Sequence, residues 1–124
     1  MAKKKILVID DEASITKLMK FVLEKSGLYE VETESEGSNA LAKIRTVRPD
    51  VLILDMNLPG ASGGEIAAAI KEDASLSKMP IIFLTGNITG EEAASGLKIG
   101  GYPAMAKPIN VEALFSCIEK LLAG

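Results

Sequence analysis

Along the chain, long apolar runs end abruptly on polar side chains. Ile6-Leu7-Val8-Ile9 runs into Asp10-Asp11-Glu12, Val51-Leu52-Ile53-Leu54 into Asp55, and Ile81-Ile82-Phe83-Leu84 into Thr85. Tyr102 to Ala106, shorter and less apolar, runs into Lys107-Pro108. Continuous β-branched apolarity bounded by Pro and Gly predicts strands covered on both faces. Between these runs the apolar positions recur at three and four. Ile15, Leu18, Met19, Val22 and Leu23 predict a helix over Ala13 to Ser26 that Gly27 stops. Ala40, Leu41, Ile44 and Val47 predict a second, ending before Pro49, and Ile66, Ala67 and Ile70 a short third. Glu91 to Ile99 reads as a fourth helix of poor quality, with Gly96 inside it, and is expected to be the loosest element. Val111 to Leu122 makes the last. Tyr29 to Thr33 alternates weakly, as an edge strand does. Pro103, which has no N–H for a ladder, places Tyr102 to Ala106 at an edge as well. Five alternations of strand and helix with short connections predict an α/β fold, a parallel sheet with helices on both faces.

Composition narrows this picture without changing it. At 124 residues, 48% hydrophobic and 25% charged with a formal net charge of −3, the chain suits one domain over 1–124 that buries its own core. Lys3-Lys4-Lys5 is its one basic cluster and reads as a solubilising leader to the first strand, so no nucleic acid is expected as a direct partner. No apolar run approaches the ~20 residues that span a bilayer, and the amino terminus has no signal-peptide pattern. A cytoplasmic protein is expected. A single cysteine, Cys117, excludes an internal disulfide and falls on the apolar face of the last helix. The absence of histidine weighs more, because it removes the commonest general base and most transition-metal sites.

Chemistry is therefore left to carboxylates, a lysine and hydroxyls, and the strand ends supply them. In open α/β sheets ligands bind at the carboxyl ends of the strands. Asp10, Asp11, Asp55, Thr85 and Lys107 all belong there. Each has a plain alternative: Asp55 as a turn residue, Asp11 as a helix cap, Thr85 as a strand terminus, Lys107 as a solvated charge. Their joint occurrence points further. Three converging carboxylates repel one another, and a hard cation such as Mg²⁺ or Mn²⁺ relieves that repulsion through oxygen ligands. Lys107 and such an ion would stabilise negative charge on a phosphoryl group, Thr85 could hydrogen-bond one of its oxygens, and Asp55 would be the nucleophile.

The Asp10-Asp11 pair, the run Asp55-Met56-Asn57-Leu58-Pro59-Gly60 with Ser62-Gly63, the Leu84-Thr85-Gly86 strand end and Lys107-Pro108 together resemble the receiver domain of two-component response regulators. The resemblance covers essentially the whole chain. It implies a flavodoxin-like (βα)5 doubly wound sheet of strand order 2-1-3-4-5. It implies that Asp55 accepts a phosphoryl group from a phosphohistidine on a histidine kinase or histidine phosphotransfer protein, after which the protein-binding surface changes. It also implies Mg²⁺ held by Asp11, Asp55 and the Asn57 carbonyl, with Asp10 acting through water. Thr85 becomes the switch hydroxyl, Lys107 the phosphate-contacting lysine, and Lys107-Pro108 a cis bond. One position departs from the pattern: Ala104 stands where the family usually has an aromatic, and Tyr102 lies on the same strand face. A Mg²⁺-dependent phosphatase of haloacid dehalogenase type is the alternative, although it wants D-x-D where this chain has adjacent acids. Flavin binding fits less, since Asp10 and Asp11 would repel a phosphate. The sequence ends at Gly124 directly after the last helix, so no output domain is expected within it. A stand-alone receiver and a piece of a larger protein both remain open.

Overall fold

In the computed structural model, which describes residues 3–86, 92, 96 and 98–124, strands and helices alternate in the expected order. The elements are β1 (Lys4–Ile9), α1 (Ala13–Lys25), β2 (Tyr29–Glu34), a 3-10 turn (Gly37–Asn39), α2 (Ala40–Val47), β3 (Val51–Asp55), α3 (Gly63–Glu72), β4 (Ile81–Thr85), β5 (Lys98–Ile99), β6 (Tyr102–Ala106) and α4 (Val111–Ala123). They form one sheet of order β2-β1-β3-β4-β6-β5. Every neighbouring pair from β2 to β6 is parallel, so the expected 2-1-3-4-5 order holds. β5 is an addition that the pattern did not predict. It pairs antiparallel with β6, Lys98 opposite Pro103 and Ile99 opposite Tyr102, around the positive-φ turn Gly100-Gly101. β6 is thus flanked on both sides, and Pro103 is tolerated because the ladder to β4 begins one residue later, at Ala104. The helix expected over Glu91 to Ile99 lies largely outside the described residues. Glu92 is helical, while Lys98 and Ile99 belong to β5 instead.

The strand period of two splits the core into two layers. Ile6, Val8, Val51, Ile53, Ile82, Leu84 and Met105 face α1 and α4, which contribute Met19, Leu23, Leu114 and Ile118. Leu7, Ile9, Leu52, Leu54, Ile81, Phe83 and Ala104 face α2 and α3, which contribute Ala40, Ile44, Ile66, Ala67 and Ile70. β3 and β4 are buried at every position, which is why they read as unbroken apolar runs. The edge strand β2 is covered in part by side chains of α1. Lys20 Nζ donates to the Val31 carbonyl at 2.8 Å, and the Val31 N–H donates to Glu24 Oε2 at 3.2 Å. These bonds satisfy backbone groups that an edge leaves open.

Candidate functional site

The parallel sheet delivers its strand ends to one edge, and β1, β3 and β4 arrive carrying Asp10, Asp55 and Thr85. All three are buried, at 1%, 2% and 3% exposure. Local bonds fix the two acids. Asp10 Oδ1 accepts from the Glu12 N–H at 2.9 Å, and Asp55 Oδ1 accepts from the Asn57 N–H at 3.2 Å. Each acid therefore turns its chain as it leaves the strand and keeps Oδ2 for the site. The loop after β3 is pinned below: Met56 N–H donates to the Leu84 carbonyl and Gly63 N–H to the Met56 carbonyl, both at 3.0 Å. α3 then starts on Ser62, whose Oγ accepts from the Glu65 N–H at 3.2 Å.

Lys107 enters from the end of β6, its N–H bonded to the Thr85 carbonyl at 3.1 Å and its bond to Pro108 cis. Its ammonium lies among three carboxylates: Nζ donates to Glu12 Oε1 at 2.8 Å, with Asp10 Oδ2 at 3.0 Å and Asp55 Oδ2 at 3.3 Å. Burial alone would lower the Lys107 pKa, but these acids outweigh it and hold the lysine above its ordinary range. Asp10 moves up as well. Burial is the chief cause and the Asp55 charge adds to it, against the pull of the Glu12 N–H and Lys107.

Asp10, Asp11 and Asp55 each bring a carboxylate oxygen within 4.8 Å of the others, Asp11 from an exposed position. Asp10 Oδ2 is buried without a hydrogen-bond partner, its contact with Nζ being one of charge. Three carboxylates offering only oxygens, offset by a single ammonium, fit a hard divalent cation. Asn57 is exposed in the following loop, positioned next to the cluster by its bond to Asp55. The structure thus brings Asp10, Asp11, Asp55 and Lys107 together, with Thr85 at the adjacent strand end. Glu12 is a member that sequence reasoning did not assign. It directly follows the acid pair, and its partner Lys107 is 95 residues away.

Ala104, buried at 5% and paired with Phe83 across β4, leaves no ring at its position. Tyr102, on the same face, is engaged elsewhere. Its ring meets Phe83 edge-on at 5.9 Å, and Lys71 Nζ lies 4.9 Å from its centroid while donating to the Gly100 carbonyl at 2.6 Å.

A parallel five-strand core with acids and a lysine gathered at its carboxyl edge is the architecture of a phosphoacceptor module. Comparison with known proteins gives the class: the response regulator receiver domain family matches residues 6–119, and the chain belongs to that family. It is 36% identical over 119 residues to the alkaline phosphatase synthesis transcriptional regulatory protein PhoP of Bacillus subtilis, covering 96% of this chain and 48% of that protein. It is 32% identical over 119 residues to the phosphate regulon transcriptional regulatory protein PhoB of Escherichia coli, covering 96% and 52%. The chain spans about half the length of these curated relatives. The chemotaxis response regulator CheY4 of Vibrio cholerae superposes with a TM-score of 0.83 at 33% identity, covering 98% of this chain and all of that one. The receiver domain of Francisella response regulator 1452 gives 0.82 at 26%, covering 98% of each. Receiver domains bind Mg²⁺ through an acidic pocket, are not generally counted as conventional enzymes, and serve two-component systems whose response regulators interact with histidine kinases. The haloacid dehalogenase alternative finds no support. Among the described residues no helix is long and apolar enough to cross a membrane.

Proposed function

We propose that Asp55 is the phosphoacceptor of this receiver domain. Its partner is a histidine kinase or a histidine phosphotransfer protein. The observation that carries the reading is Lys107 Nζ, 3.3 Å from Asp55 Oδ2, beside a cluster of three acids whose oxygens lie within 4.8 Å. An Asp55 carboxylate oxygen attacks the phosphorus of the partner's phosphohistidine. The O–P bond forms as the N–P bond breaks, and the departing imidazole nitrogen keeps the electron pair. Lys107 offers its fixed positive charge to the transferred oxygens, and the Thr85 hydroxyl donates to one of them. Asp10, Asp11, Asp55 and the Asn57 carbonyl would hold Mg²⁺. When bound, that ion neutralises the clustered carboxylates and the charge on the phosphoryl oxygens.

The same reading takes residues 1–124 as one receiver domain in the cytoplasm, catalysing nothing beyond its own phosphorylation and dephosphorylation. Its output is an altered surface offered to another protein, with neither nucleic acid nor membrane contacted directly. Acetyl phosphate with Mg²⁺ tests the class of activity. The expected result is labelling that saturates at one phosphoryl group per chain. Sustained release of phosphate from small phosphoesters at many turnovers per chain would speak for a phosphatase instead.

A further inference from the structure

Glu12 occupies the N-cap position of α1 and makes no side-chain cap there, although its backbone carbonyl accepts from Ile15 and Thr16. The short Asp, Asn, Ser and Thr side chains bond the free N–H groups of the first turn from that position, whereas the longer Glu12 is free to reach elsewhere. Here the carboxylate reaches across the strand ends and takes the Lys107 ammonium at 2.8 Å, nearer than Asp10 or Asp55. Its side chain is 53% exposed, whereas those of the two aspartates are buried. A phosphoryl group arriving at Asp55 comes from solvent, so it meets the Glu12 charge and must draw Lys107 away from it.

We infer that Glu12 is a positioning residue that competes with the phosphoryl group for Lys107 and so sets how readily Asp55 is modified. The inference rests on the Asp55 reading above. Removing the charge leaves the ammonium to Asp10 and Asp55 alone and lifts a repulsion on an incoming anion, without touching the acids that hold the cation. An exposed ion pair of this kind corresponds to about a two- to five-fold change in an equilibrium or rate. Because Glu12 is exposed and leaves the cap unused, its replacement leaves the fold intact.

The test compares the full chain with Glu12→Gln, Glu12→Ala and Glu12→Asp. In metal-free, unphosphorylated protein the ¹⁵N signal of the Lys107 ammonium is expected to exchange slowly with water in the parent. It should exchange faster in Glu12→Gln and faster still in Glu12→Ala, where Asp10 and Asp55 alone hold the ammonium. With Mg²⁺, labelling by acetyl phosphate should speed up, and beryllofluoride should bind more tightly, by about two- to five-fold in Glu12→Gln and Glu12→Ala. Glu12→Asp, one methylene shorter and a better cap, should fall between the parent and Glu12→Gln in both readouts. If the parent is labelled but the Gln and Ala variants match it or are slower, the inference is overturned while the Asp55 reading stands. If the parent takes no phosphate, the Asp55 reading fails. An ammonium signal unchanged in Glu12→Ala overturns the inference by itself.

Discussion

Gly63 begins α3 directly beneath the Asp55 peptide, and replacing it with alanine should be costly for reasons of space alone. Its φ is not in the left-handed region, so alanine suits the backbone and would gain up to about 1 kcal/mol of helix propensity. A Cβ there, however, would lie 2.9 Å from Met56 Cα, 3.1 Å from the Asp55 carbonyl carbon, and closer still to the Asp55 carbonyl oxygen. None of these atoms is the movable end of a side chain. To bring even the nearest of them, the Asp55 carbonyl oxygen, to an ordinary 3.4 Å, α3 and the strand exit must part by about 1 Å. That shift stretches the 3.0 Å Gly63-to-Met56 bond. Overpacking costs about 1–3 kcal/mol and a lost hydrogen bond about 1, so the clash outweighs the propensity gain. We expect Gly63→Ala to be destabilised by about 2 kcal/mol, lowering Tm by about 6–12 °C. Gly64→Ala is the matched control, since its nearest neighbour is Ser62 Oγ at 3.9 Å. It should be neutral or gain about 0.5–1 kcal/mol. Urea unfolding followed by circular dichroism measures both. A Gly63→Ala protein as stable as Gly64→Ala would refute the packing argument.

Three further outcomes follow from the site. Asp11→Ala should weaken Mg²⁺ binding by about ten-fold or more in isothermal titration, and undiminished affinity would remove Asp11 from the cation site. In metal-free buffer, Asp10 has its folded pKa raised above the ordinary 3.8, so its contribution to stability is full below that value and is lost as pH rises through the folded pKa. Asp10→Asn should therefore overtake the parent in stability as denaturation is repeated at increasing pH above 4; parallel curves would contradict the shift. Ala104→Tyr should tighten beryllofluoride binding by about five-fold, the worth of one added aromatic contact in the modified state. Equal affinities would show that the engaged Tyr102 ring already does that work or that none is needed.

The strand ends were legible because burial on both faces leaves an unbroken apolar run, and a charge closing such a run at Asp55 or Asp10 has no core reason to be there. Parallel topology then brings to one edge residues that are far apart in sequence. Smaller and longer-range features left no such signal. β5 is two residues long, below any period a pattern can register, and Pro103 argued for an open edge that β5 in fact covers. Glu12 looked like a third acid in a row, because its role depends on a lysine delivered by the far end of the chain. Gly63 carries no periodic signal of its own, while its requirement is for room against the Asp55 peptide. The tie between Tyr102 and Lys71 joins β6 to α3, and neither position announces it.

One side chain, Asp55, is proposed to receive the phosphoryl group. Incubation with a phosphorylated histidine phosphotransfer protein or with acetyl phosphate, in Mg²⁺, followed by mass-spectrometric mapping, tests it most directly. A single hydroxylamine-labile phosphate is expected on Asp55 and none in Asp55→Asn, whose circular dichroism spectrum should match the parent. Phosphate on another residue, or labile phosphate persisting in a folded Asp55→Asn protein, would contradict it.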